Sequence, residues 1–99
     1  MIRHIVTWKL KAEDAEGKAA ATAAIKDALE SLVPVIDELI SLEIRPNAAY
    51  FDVNWDVVLI ADYNSVADLD AYQVHPEHVK AAAVVREHVT QRASVDIEL

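Results

Sequence analysis

The run Val57-Val58-Leu59-Ile60-Ala61 constrains this chain more than any other feature. It reads as the centre of a strand spanning about Trp55 to Tyr63. Where helices cover only one face of an antiparallel sheet, strands alternate apolar and polar residues, because the other face meets water. This strand does not alternate in its middle. The first strand, over residues 2–10, adds Ile5 on the face opposite Val6 and Trp8. A face bearing Ile5, Val58 and Ile60 is a patch that one copy's helices cannot reach. One or two exposed aliphatic residues occur on any protein surface. Three at strand spacing favour a cover instead, a second copy packed sheet to sheet about a two-fold axis to close a barrel with helices outside.

The remaining elements follow from periodicity. Ile2, Val6, Trp8 and Leu10 alternate with Arg3, Thr7 and Lys9, and His4 shares the apolar parity. From about Glu13 to Val33 the pattern is helical: Thr22, Ile25, Leu29 and Leu32 form one stripe, and Pro34 ends it. A second strand is expected from Leu39 to Arg45, stopped by Pro46-Asn47. Asn64 or Ser65 can cap a short helix through about Tyr72. His75-Pro76-Glu77-His78 opens a longer helix, expected to run to about Arg92, since proline and glutamate suit a first turn. Ser94 to Glu98 alternate as a final strand. The order βαββαβ predicts one α+β domain over residues 1–99, a ferredoxin-like sandwich with a four-stranded antiparallel sheet.

Composition removes several function classes. A length of 99 residues suits a single core. The net charge of -8, with no basic cluster, disfavours nucleic acid and anionic membrane surfaces as partners. Without cysteine there are no disulfides, no thiolate nucleophile and no Cys-ligated zinc. The opening MIRHIVTWKL is short and interrupted by Arg3, His4 and Lys9, so neither a signal peptide nor a membrane span is expected, and the cytoplasm is the default location. Gly17 stands alone, so there is no phosphate loop, and no GxSxG elbow occurs. Asp70, His75, Glu77 and His78 are local donors, but HExxH is absent and their spacing crosses a helix start. No metal or other cofactor is expected.

The stretch Tyr72-Gln73-Val74-His75-Pro76-Glu77-His78 carries the candidate chemistry. Ala82, Val85 and Val89 follow His78 at helical spacing, which turns His78 toward the sheet. If the parity of Val6 and Trp8 also faces the helices, His4 meets His78 in one interior layer. Two imidazoles beside the Tyr72 hydroxyl suit proton transfer, because histidine titrates near neutrality and a fixed phenol can polarise a carbonyl. The structural alternatives are that His75 caps the helix and that His78 is satisfied by a carbonyl or by Tyr72. His88 reads as surface. Trp8 and Trp55 can line a ligand cavity or simply pack. The many carboxylates read as a solvated surface.

MIRHIVTWKLK and AYQVHPEHVK resemble the two signatures of the stress-responsive A/B barrel (Dabb) family, and WDVVLIADYNS is similar to that family's third strand. The resemblance covers essentially the whole chain and implies a ferredoxin-like protomer in a homodimeric α+β barrel. Most members have no established activity. One plant member is a polyketide cyclase that closes a linear chain by aldol condensation with retention of the carboxylate. Its pattern matches His4, Tyr72 and His78 here. By that resemblance Tyr72 would bind or polarise a carbonyl, His78 would act as general base and His4 would support the pocket. A third-strand histidine of that cyclase has no counterpart, Val57 standing in its place. The expected function is a homodimer that binds a small apolar or aromatic ligand near His75, Trp8 and Trp55. The alternatives are a cofactor-free cyclase or isomerase-type enzyme using Tyr72 and His78, a cofactor-independent monooxygenase suggested by the architecture alone, and a purely structural oligomer.

Overall fold

The structure, a computed structural model, describes all 99 residues. Its elements are β1 (Ile2–Leu10), α1 (Ala15–Glu30), β2 (Ser41–Pro46), β3 (Val57–Tyr63), α2 (Val66–Val74), α3 (Pro76–Arg86) and β4 (Val89–Glu98). The strands form one antiparallel sheet in the order β2-β3-β1-β4, with the helices on one face. This is the ferredoxin-like α+β sandwich expected from the element order.

Local chemistry sets the helix ends. Asp14 caps α1 by accepting the Gly17 N–H at 2.8 Å. A Cβ on Gly17 would stand 2.5 Å from that carboxylate, so glycine permits the close approach. Ser65 caps α2 through the Asp68 N–H at 3.1 Å. Helix α1 stops at Glu30, short of Val33, and residues 31–39 wind through turns that bury Leu32, Ile36 and Leu39. The stripe of α1 is Ala21, Ile25 and Leu29, while the Thr22 hydroxyl turns back to the Lys18 carbonyl at 2.8 Å. Strand β2 therefore starts at Ser41, and it can include Pro46 because it lies at the sheet edge.

The largest departure lies near the C-terminus. Helix α3 ends at Arg86 instead of Arg92, and β4 begins at Val89. Every residue of β1 has a partner on β4, from Ile2 opposite Glu98 to Leu10 opposite Val89. The Lys11 N–H continues the ladder to the His88 carbonyl at 2.9 Å. Satisfying the backbone of β1 thus extends the strand through residues that carry a helical spacing of apolar side chains.

The register divides the sheet cleanly. Facing the helices, His4 lies between Ala61 and Asp96, Val6 between Leu59 and Ser94, and Trp8 between Val57 and Arg92. These β1 and β3 side chains pack against Ile25, Leu29, Leu69 and Val85 in one core. Burying each such aliphatic side chain stabilises the fold by roughly 1.5–3 kcal/mol. On the other face Ile5 sits between Ile60 and Val95, and Thr7 sits between Val58 and Ala93. Ile5, Val58 and Ile60 are only half-buried, and Val95 and Ile97 are exposed. Arg3 and Asp62 border this apolar centre as a bidentate ion pair with bonds of 2.9 and 3.0 Å.

The two-layer packing is uneven. Helix α1 lies over β2 with α3 beside it, so the helical layer favours the β2 side of the sheet. Strand β4, at the opposite edge, keeps its inward-facing Arg92, Ser94, Asp96 and Glu98 uncovered. That gap makes the site.

Candidate functional site

A cavity of about 720 Å³ opens where α3 diverges from β4. Its walls include His4 and Trp8 from β1, Tyr72 from α2, His78 and Arg86 from α3, and Arg92 from β4. Pockets of about 300–1,000 Å³ hold small organic ligands.

A row of neighbouring side chains links the lining residues His78, Tyr72 and His4 through the core beneath the cavity. The rings of His78 and Tyr72 are 4.3 Å apart between centroids, those of Tyr72 and Tyr63 are 5.2 Å apart, and those of Tyr63 and His4 are 6.3 Å apart. At the far end, His4 Nδ1 is hydrogen-bonded to Asp96 Oδ1. Each member is placed by an element boundary or by strand register. Tyr63 is the last residue of β3, Tyr72 lies in the last turn of α2, and His78 lies in the first turn of α3.

Both histidine tautomers are fixed by their partners. His78 Nδ1 lies 3.1 Å from the Gln73 carbonyl, which can only accept, so Nδ1 carries the proton and Nε2 of the neutral ring keeps its lone pair. Burial pushes the His78 pKa below its ordinary value; the Gln73 carbonyl counteracts this, while the nearby His4, Arg92 and Arg86 add to the depression. A neutral His78 at physiological pH therefore offers a basic nitrogen. The Asp96 carboxylate likewise orients Nδ1–H of His4, as carboxylates do in triads of orienter, base and reacting group.

The phenols are the anomaly of the interior. Tyr63 and Tyr72 are almost wholly buried against one another, and neither hydroxyl makes a hydrogen bond of ordinary length. Burial raises both pKa values; the Tyr63 hydroxyl counteracts this at Tyr72, which is pushed up to about 12, and Tyr72 adds to the larger rise at Tyr63. Both stay protonated, and of the two only Tyr72 lines the cavity.

Of the six residues singled out from the sequence, His4, Trp8, Tyr72 and His78 meet at this cavity, and His75 and Trp55 do not. His75 closes α2 and opens α3, its Nδ1 accepting the Glu77 N–H at 3.1 Å, so its ring serves as a cap. Trp55 precedes β3 and lines a separate cleft with Thr7 and Val58 on the other side of the sheet. Val57 is buried opposite Trp8. Sequence reasoning missed Tyr63, Asp96, Arg86 and Arg92. Tyr63 shares the parity of Val57, Leu59 and Ala61, which is a signal; Asp96 and Arg92 depend on the register of β4, which no local pattern specifies.

An α+β sandwich with an imidazole- and phenol-lined cavity and an apolar outer sheet face defines the class. The chain matches the Stress responsive A/B Barrel Domain (Dabb) over residues 2–99, and it belongs to that family. A dimeric protein of unknown function and ferredoxin-like fold from Bacteroides fragilis is 30% identical, with a TM-score of 0.87 over 99% of this chain and 95% of that one. A dimeric ferredoxin-like protein of unknown function from Thermobifida fusca is 23% identical, with a TM-score of 0.76 over 99% and 90%. The hydroxynitrile lyase of Passiflora edulis shares the fold at 15% identity, with a TM-score of 0.71 over 97% and 90%. No curated protein matches the sequence.

Proposed function

We propose that the protein is a cytoplasmic homodimer in which each protomer binds a small apolar or aromatic ligand in the cavity between the helices and β1–β4. Dimerisation would bury the row Val95–Ile5–Ile60 against its counterpart. The dimeric description of the similar Bacteroides fragilis protein supports this arrangement. A net charge of -8 argues against nucleic acid as the partner, and no helix is long and apolar enough to cross a membrane.

One observation carries the ligand reading: Tyr72 lines the cavity, and its buried hydroxyl makes no hydrogen bond of ordinary length. An unsatisfied buried donor costs about 1–3 kcal/mol. A ligand oxygen at that position would remove the penalty, and the aromatic neighbours would hold an apolar body.

A second reading is favoured by the tautomer of His78. With Nε2 unprotonated and a phenol donor on the adjacent ring, the site suits abstraction of a proton next to a carbonyl group. His78 Nε2 would take the proton, the C–H electron pair would form an enolate, and the Tyr72 O–H would hold its oxygen. Cyclisation and isomerisation of β-dicarbonyl compounds both begin this way.

Native mass spectrometry of the protein purified from its own host tests the first reading. The expected result is a dimer carrying a small molecule that His78→Ala loses while the fold is kept. A monomer, or a dimer with no retained molecule and no affinity for aromatic probes, contradicts it.

A further inference from the structure

We propose that the ligand of this cavity carries a carboxylate, held by Arg86 and Arg92. This rests on the cavity being a ligand site and adds the ligand's charge. The chain has four arginines. Arg3 is paired with Asp62 at 2.9 Å, and Arg45 with Glu43 at 2.7 Å. The other two have no carboxylate partner, and both line the cavity. They come from different elements, Arg86 from the last turn of α3 and Arg92 from the inward face of β4. The one side-chain bond of Arg92 is a long 3.4 Å contact from Nη1 to the Ser94 hydroxyl, which leaves most of its donors free.

Carboxylates are plentiful here, 17 acidic residues against 9 basic ones, so two unpaired guanidinium groups at one place run against the composition. Each has a bland explanation by itself. Arg86 complements the negative end of the α3 dipole, and a charge such as Arg92 guards an edge strand against unwanted pairing. Neither explanation accounts for both of them lining the same cavity. No acidic residue lines the cavity, and Asp96, on the inward face of β4, is bonded to His4. The two cations also act on the interior, since both disfavour the protonated form of His78.

A guanidinium fork matches a carboxylate through two parallel hydrogen bonds. Val6, Trp8, Leu59 and Val85 supply an apolar wall, and Tyr72 supplies one donor. The geometry therefore selects an organic acid with an apolar or aromatic body.

Isothermal titration of the full-length protein with 2-naphthoate, 2-naphthamide and 2-naphthyl phosphate tests this. The wild type should bind naphthoate at least about tenfold more tightly than the amide, the value of one charge-assisted bond pair. Arg86→Gln/Arg92→Gln should abolish that preference, bringing the naphthoate affinity to that of the amide in the same variant. Should the variant fold poorly, the wild type alone decides: raising sodium chloride from about 50 to 500 mM weakens naphthoate and spares the amide. Equal binding of acid and amide, or a preference that survives in the variant, overturns the carboxylate assignment and leaves the cavity reading standing. Tighter binding of the phosphate than of naphthoate overturns it too. If no probe binds and the Trp8 indole resonance stays unmoved, the cavity reading falls together with the inference.

Discussion

His4 and Asp96 face one another across β1 and β4, their side chains hydrogen-bonded, although one is near the start of the chain and the other near its end. The pair couples the buried imidazole of His4 to a strand that helices leave uncovered. Asp96→Ala would leave the His4 N–H without its acceptor. Because Asp96 is itself 44% exposed, water replaces part of the loss, and destabilisation of about 1 kcal/mol is expected by denaturant unfolding. An unchanged unfolding midpoint would show that the pair does not hold the ring.

Tyr72 separates function from stability. Removing a buried hydroxyl that has no partner relieves a desolvation penalty, so Tyr72→Phe should leave stability unchanged or raise it by about 1 kcal/mol. The same substitution should weaken retention of an oxygen-bearing ligand. Destabilisation by more than about 1 kcal/mol in thermal unfolding would reveal a structural bond and undo the ligand argument.

His78 should impose a pH signature. Its folded-state pKa lies below 6.5 while the unfolded chain titrates at the ordinary value. The unfolded state then takes up the proton first, so the contribution is fully present above pH 6.5 and is lost as pH falls through the depressed folded pKa. Glu30, Asp56 and Asp62, also depressed, add acid lability starting from their lower ordinary values of 4.5 and 3.8. Between about pH 7.5 and 5.5, wild-type stability should therefore fall more than that of His78→Gln. Parallel curves, or an imidazole midpoint above 6.5 by NMR, would contradict the neutral base.

Much of this was legible before the structure, and the reasons for the rest are physical. Parity along β1 and β3 is a local property, and it placed His4, Trp8 and the outer Ile5–Ile60 pair correctly. Ser65 and the His75-Pro76 junction were legible as helix starts because caps are local chemistry. The stretch Val89–Ala93 was not, since Val85 and Val89 repeat at helical spacing and only the unpaired edge of β1 makes it strand. Arg92 reaches the cavity, and Asp96 reaches His4, through that same long-range register. His75 and Trp55 looked like ligand contacts by residue type, and a cap and a loop position took them elsewhere.

The outer sheet face decides whether the protein is a dimer. Ile60 is half-buried between Ile5 and Glu43, and a charge there would be harmless to a lone protomer but would disrupt packing against a second copy. Sedimentation equilibrium on the wild type and Ile60→Lys, with circular dichroism to confirm the fold, measures this directly. The wild type should sediment at twice the 10.9 kDa chain mass and the variant at the single mass. A wild-type protein that remains a single chain at high concentration would contradict it.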